Sequence, residues 1–179
     1  MIAETTLPPE LTKAAESLEQ RLQILSVPTR KVPLAEWSLV PKKVQGLIPD
    51  WVPTLLARFN LHGGVLECKH DNKKATWERW FSFSGPDQYK EFLLSGDYVW
   101  ETEILAAGFV PISYEQNGDL WVTSIKDGPS SPIYLFDLSG MERIFASSRI
   151  ALLMSSMGVS EVSYNEPDKP RSVMWHPER

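Results

Sequence analysis

The chain has 179 residues, and 42% of them are hydrophobic, which is enough for one ordinary core and a single domain over residues 1–179. A net charge of −5 argues against nucleic acid or an anionic membrane as the main partner, but it does not exclude a basic protein. The single cysteine, Cys68, rules out an intramolecular disulfide and favours a reducing compartment. The N-terminus lacks the features of a signal peptide, and no apolar run approaches the ~20 residues of a membrane span, so we expect a cytoplasmic protein.

The N-terminal region predicts a helix followed by a connector. Apolar residues at helical spacing favour a helix over about residues 10–26, after Pro8 and Pro9. Residues 27–45 contain three prolines and several basic side chains, which is typical of a connector. Trp37 is expected to hold this connector against the core.

The next stretch predicts a capped apolar helix. Trp51, Leu55 and Phe59 recur every four residues and give the helix one apolar face. Asp50 is the predicted N-cap, since its carboxylate can accept a hydrogen bond from the second helical N–H. Asn60 and the glycine pair 63–64 are predicted to supply the positive φ that closes the helix. We expect this helix to pack across a sheet.

The rest of the chain alternates strands with two short helices. Period-two patterns and turn residues predict strands over 65–70, 76–83, 109–114, 120–125 and 133–138, the first two forming an antiparallel hairpin. A short helix is predicted after Gly85, with Pro86 at its first position, and a last helix from Ser147 or Ser148 to Met157. Pro111 indicates an edge strand or a bulge. The tail over 165–179 is predicted to be irregular, and the order of elements indicates an α+β fold.

Three pieces of the sequence, spread over residues 44–160, together resemble the SUKH superfamily of Smi/Knr-type proteins. They are Leu47-Ile48-Pro49 with Phe59-Asn60 and Gly63-Gly64; Phe109 to Ile112 with Asn117 to Trp121; and Pro132 to Asp137 with Ile144 to Ser148. The pieces follow the order and spacing of the family. The chain departs from the family pattern at Leu61-His62, which separates the asparagine from the glycine pair.

The resemblance implies a mixed, mostly antiparallel twisted sheet of about five to six strands, flanked by helices. It also implies a protein-binding role without catalysis or cofactor. In bacteria the family includes immunity proteins that bind and block a toxin, often a nuclease, made by the same or a neighbouring cell. The alternative interpretation is an intracellular scaffold or regulatory module with several weaker partners.

Charge and aromatic residues suggest where a partner would bind. Between residues 97 and 145 there are eight acidic and two basic side chains, with the aromatics Tyr98, Trp100, Tyr114, Trp121 and Tyr134 nearby. Acidic surfaces steer basic partners, and aromatic side chains anchor interfaces. The predicted partner-binding residues are Trp100, Glu101, Glu103, Asp119, Trp121 and Asp127. Alternatively, the acids are ordinary outward-facing residues of half-buried strands and the tryptophans belong to the core.

The sequence offers little for catalysis or metal binding. His62, Cys68 and His70 are scattered and lack the paired spacing of a zinc site. Side chains two apart on one strand lie ~6–7 Å from each other, too far for a direct thiol–imidazole hydrogen bond between Cys68 and His70. No nucleophile elbow, phosphate loop or dinucleotide fingerprint is present in the sequence. We therefore expect neither an enzyme nor a metal or other cofactor.

Overall fold

A computed structural model of the chain describes residues 4–64, 66–72, 75–94, 104–114, 119–137, 142–156 and 172–175. The helices are α1 (Pro9–Ile24), α2 (Leu34–Trp37), α3 (Lys42–Gln45), α4 (Trp51–Arg58), α5 (Pro86–Leu94) and α6 (Ile150–Ser156). The strands are β1 (Leu66–Asn72), β2 (Ala75–Phe81), β3 (Phe109–Tyr114), β4 (Leu120–Ser124), β5 (Ile133–Asp137), β6 (Glu142–Ser147) and β7 (Ser172–Trp175).

The first helix is confirmed, with α1 burying Leu11, Leu18 and Leu22 on one face. The connector that follows it is more regular than we expected. It contains the single-turn helices α2 and α3, which begin directly after Pro33 and Pro41. Both prolines have an extended ψ, 144° and 141°, and so lie just outside the helices. Trp37, at the end of α2, is fully buried as predicted.

The apolar helix α4 is present, but both of its predicted end signals are wrong. The Asp50 side chain makes no capping hydrogen bond, and the Val52 N–H donates instead to the carbonyl of Pro49 at 3.0 Å. At the other end Phe59 takes an extended conformation and ends the helix before Asn60 is reached. Gly63 has a φ of +91°, but it lies beyond the helix, next to the bridge between Arg30 and His62.

The described strands form two sheets where we expected one. The first has the order β2-β1-β7 and the second the order β3-β4-β5-β6. The second is antiparallel throughout, whereas β7 runs parallel to β1. A single antiparallel bridge, Phe83 to Ser113, links the end of the first hairpin to β3. The Ser82 N–H adds to this link by donating to the Ser113 hydroxyl at 2.7 Å. The α+β class is confirmed.

The strands show where local patterns suffice and where they fail. The β1–β2 hairpin and the strands β3, β4 and β5 are confirmed, and β3 is an edge strand with a register shift after Pro111. The strand β6 was not assigned from sequence. The expectation of an irregular tail is wrong over Ser172–Trp175, because this segment pairs with β1, a partner that is distant in sequence.

Most buried side chains belong to one hydrophobic cluster, here called the main core. It runs from Leu7 to Met154 and includes the buried faces of α1, α4 and α6. Ile150, Leu153 and Met154 of α6 face inward, as the pattern of that helix predicted. The Ser147 hydroxyl, a predicted cap of this helix, donates to the Arg149 carbonyl at 3.1 Å. The predicted end of the helix at Met157 lies outside the described residues.

Candidate functional site

The four-stranded sheet has two faces, and strand alternation assigns each side chain to one of them. In β4, Trp121 belongs to the main core, whereas Leu120 and Val122 belong to a second, smaller cluster. In β5, Leu135 pairs with Trp121 and lies in the main core, and Tyr134 pairs with Val122. We call these sides the inner face, which joins the main core, and the outer face.

The outer face is apolar at its centre and aromatic around it. Ile104, Leu120 and Val122 are almost completely buried. Three partly buried aromatic side chains pack around them, and together we call these the aromatic face: Phe109, Tyr134 and Phe136. The rings of Phe109 and Tyr134 meet edge to face, with centroids 5.6 Å apart and an angle of 85° between their planes. This geometry is favourable for aromatic pairs and holds both rings in place.

Partial exposure leaves the three rings of the aromatic face available for contact with another molecule. Large rings lose little conformational entropy when they contact a partner, and they supply much of the buried area at protein interfaces. A surface of this kind can recognise another protein. Among its three side chains, the Tyr134 hydroxyl is the hydrogen-bonding group.

The structure separates the residues that we predicted to bind a partner. Trp100, Glu101 and Glu103 lie outside the described residues. Trp121 has no exposed surface, because the register of β4 directs its indole into the main core, where its ring meets that of Phe81 at 5.5 Å. It therefore cannot anchor a partner at the surface of this fold.

The two remaining acids differ in exposure. Asp119 is only 3% exposed at the start of β4, which removes it from the surface. Asp127 is exposed in the turn between β4 and β5, directly before the 3₁₀ turn Gly128–Ser130. Among the predicted residues that the structure describes, only Asp127 is available to a partner.

Sequence reasoning missed Phe109 and Phe136 as surface residues. The signal that could have found them is alternation: once Trp121 is assigned to the core, Leu120, Val122 and Ser124 must face the other way, and so must their partners Phe136, Tyr134 and Phe109. Tyr134 was noted as a nearby aromatic, and the structure places it on the aromatic face. Of Trp121 and Tyr134, it is therefore Tyr134 that is partly exposed on this sheet.

The histidine considered as a metal ligand has a structural environment. The Nδ1–H of His62 donates to the Phe83 carbonyl at 2.9 Å, because a carbonyl oxygen can only accept. Its imidazole packs so closely on Gly85 that a Cβ there would lie 2.6 Å from His62 Cε1. Cys68 and His70 lie on β1. Over the described ranges, no group of three or more His, Cys, Asp or Glu residues is arranged to hold a metal ion.

None of the helices that the structure describes combines the length and apolar character needed to cross a bilayer. Comparison of the chain with protein-family models, with curated proteins and with solved structures finds no match.

Proposed function

We propose that the chain is a non-enzymatic protein-binding domain of the SUKH type that serves as a bacterial immunity protein. In this proposal it binds and neutralises one basic toxin domain, such as a nuclease, in the cytoplasm of the cell that carries it. The aromatic face is the centre of the contact, and the acidic excess of the same part of the sequence attracts the partner.

The observation that carries the proposal is the aromatic face itself. Phe109, Tyr134 and Phe136 are fixed by a cluster separate from the main core, yet each keeps part of its surface accessible. Side chains that are held rigidly and are only partly buried bind with little loss of entropy. Alanine scanning of interfaces finds such aromatics among the few residues that dominate affinity.

Charge supports a basic partner. All three aromatics lie within residues 97–145, where eight acidic side chains face only two basic ones. An excess of this kind attracts a cationic partner over roughly the Debye length of ~8–10 Å at physiological salt, and it acts mainly on the association rate. A nuclease domain presents the opposite charge, because it must bind the phosphate backbone of nucleic acid.

The experiment that tests the proposal is affinity capture of the tagged protein from its own organism at low and high salt. Wild type is compared with the double variant Tyr134→Ala, Phe136→Ala and with the control Leu39→Ala. Leu39 is an apolar side chain that is 74% exposed and lies outside the aromatic face. Circular dichroism and thermal unfolding establish that each variant is folded.

We expect wild type and Leu39→Ala to capture one stoichiometric basic protein that inhibits growth when it is expressed alone. The double variant should lose this partner while remaining folded. Several weak partners, none of them toxic, would contradict the immunity role and support the scaffold alternative. Equal capture by all three proteins would show that the partner binds elsewhere.

A further inference from the structure

A groove of about 390 Å³ lies between α1 and α6. Its α1 side consists of residues spaced by three or four positions, so that they form one stripe of the helix. Its α6 side is formed by residues from just before the start of that helix to near its end. The lining residues are Glu10, Lys13, Ala14, Ser17, Arg21, Arg149, Ala151, Leu152 and Ser155.

Small side chains keep the two helices from filling this space. Ala14 and Ala151 are buried and form an apolar floor, to which the partly exposed Leu152 contributes. Arg21 crosses between the helices: its Nε donates to the Ser17 carbonyl at 3.2 Å and its Nη2 to the Met154 carbonyl at 3.0 Å. Burial lowers the pKa of Arg21, and these hydrogen bonds offset its desolvation. The hydrogen bond from Arg21 to the Met154 carbonyl therefore links α1 to α6 at the groove.

The groove is cationic although the chain as a whole is acidic. Lys13, Arg21 and Arg149 line it, against the single carboxylate of Glu10. Arg149 reaches Glu10 through one contact of 3.4 Å, which leaves most of its guanidinium hydrogen-bonding capacity available. Lys13 is exposed at the rim.

We infer that this groove binds an acidic segment of a partner protein. A carboxylate of the segment pairs with Lys13 and Arg149, and an apolar side chain next to it lies against the floor formed by Ala14 and Leu152. The floor favours a peptide over a free anion, because a phosphate ion would leave that apolar surface uncovered. The site is distinct from the aromatic face, since α1 and α6 pack into the main core, on the inner side of the sheet.

The test is fluorescence anisotropy with a labelled peptide of alternating glutamate and leucine. Its affinity is measured for wild type, for Lys13→Glu, for Arg149→Glu and for the control Lys90→Glu. Lys90 is exposed on α5, so the control makes the same charge change outside the groove. A peptide of alternating lysine and leucine tests the sign of the charge, and inorganic phosphate serves as competitor at constant ionic strength.

We expect both groove variants to weaken binding of the acidic peptide at least tenfold, the control to stay within twofold, and the lysine peptide not to bind. Arg149→Lys should retain binding, which guards against a folding defect in Arg149→Glu. Absence of peptide binding to wild type would overturn the inference, and so would an equal loss in Lys90→Glu. Competition by millimolar phosphate would instead assign the groove to a free anion and would also overturn it.

Discussion

The two faces of the four-stranded sheet use the same strands for different purposes. On the inner face, Trp121, Ile133 and Leu135 are buried in the main core together with α1 and α6. On the outer face, Leu120 and Val122 are equally buried, but the side chains around them are aromatic and partly exposed. Adjacent residues of β4 therefore face opposite sides of the sheet, one in the main core and the next beside the partly exposed aromatic face.

The difference shows that burial alone does not identify a binding face. β4 is buried on both sides from Leu120 to Thr123, so burial along the strand does not alternate. The faces differ in how far the side chains around the buried strand are themselves buried: fully on the inner face and only partly on the outer face. We expect inner-face residues to determine stability and outer-face aromatics to determine affinity, and substitutions on each side can separate these contributions.

The largest effect is expected from Trp121→Ala on the inner face. The substitution removes a fully buried indole that packs on Phe81, and truncation of a large core aromatic costs about 3–5 kcal/mol of unfolding free energy. Urea denaturation followed by circular dichroism measures the loss. Leu39→Ala, at an exposed position, should change stability by less than about 0.5 kcal/mol. A loss below 1 kcal/mol for Trp121→Ala would place this indole outside the core.

A smaller effect, of another kind, is expected from Tyr134→Ala on the outer face. The ring is only partly buried, so we expect about 1 kcal/mol of lost stability, chiefly from the edge-to-face contact with Phe109. Affinity for the basic partner should fall by about 2 kcal/mol, or roughly 30-fold, as at interface hot spots. Titration calorimetry with the purified partner measures this. Unchanged affinity together with a large loss of stability would reverse the roles of the two faces.

The assignment of faces also marks the limit of what the sequence could predict. The helix α1 and the β1–β2 hairpin follow from local periodicity, because the residues that specify them are near each other in the chain. Whether Trp121 or Tyr134 faces the surface depends on which strands pair and which helices cover them. These are contacts between distant segments, and no local pattern records them.

The missed strand β7 has the same cause, because it exists only through its parallel pairing with β1, which is distant in sequence. β6 is different, because it pairs with β5, its neighbour in the chain, and a hairpin there could have been predicted. The cap predicted at Asp50 failed for a local reason instead: its own backbone is already helical, and the Val52 N–H is satisfied by Pro49. A suitable residue type at a helix start is not sufficient, because the cap requires a non-helical φ and ψ.

The pH dependence of stability offers a further test, through the buried Tyr89. Tyr89 is fully buried in the main core against Trp37, and its hydroxyl has no hydrogen-bond partner among the residues that the structure describes. Burial raises its pKa above the ordinary value near 10. A raised pKa in the folded state means that stability is fully present below pH 10 and is lost as the pH rises above it, because only the unfolded chain ionises readily. The loss should reach about 1.4 kcal/mol per pH unit.

Urea unfolding between pH 8 and 11 tests this effect with Tyr89→Phe. The variant should lose this part of the alkaline destabilisation and be as stable as wild type at pH 8, since removal of an unpaired buried hydroxyl costs nothing. Equal slopes for wild type and Tyr89→Phe would contradict a buried, neutral Tyr89.

The smallest effect is expected from Asp127→Lys in the turn between β4 and β5. Asp127 is exposed, so its reversal should change the unfolding free energy by less than about 0.5 kcal/mol. In the proposed function its charge helps to steer a basic partner, and the association rate at low salt should fall severalfold while the dissociation rate stays constant. Stopped-flow measurements at several salt concentrations test this, since screening should abolish the difference. Glu16→Lys, an identical charge change on the exposed side of α1, should slow association less. An equal reduction in both variants would mean that net charge, and not the position of the acid in the turn between β4 and β5, controls the encounter.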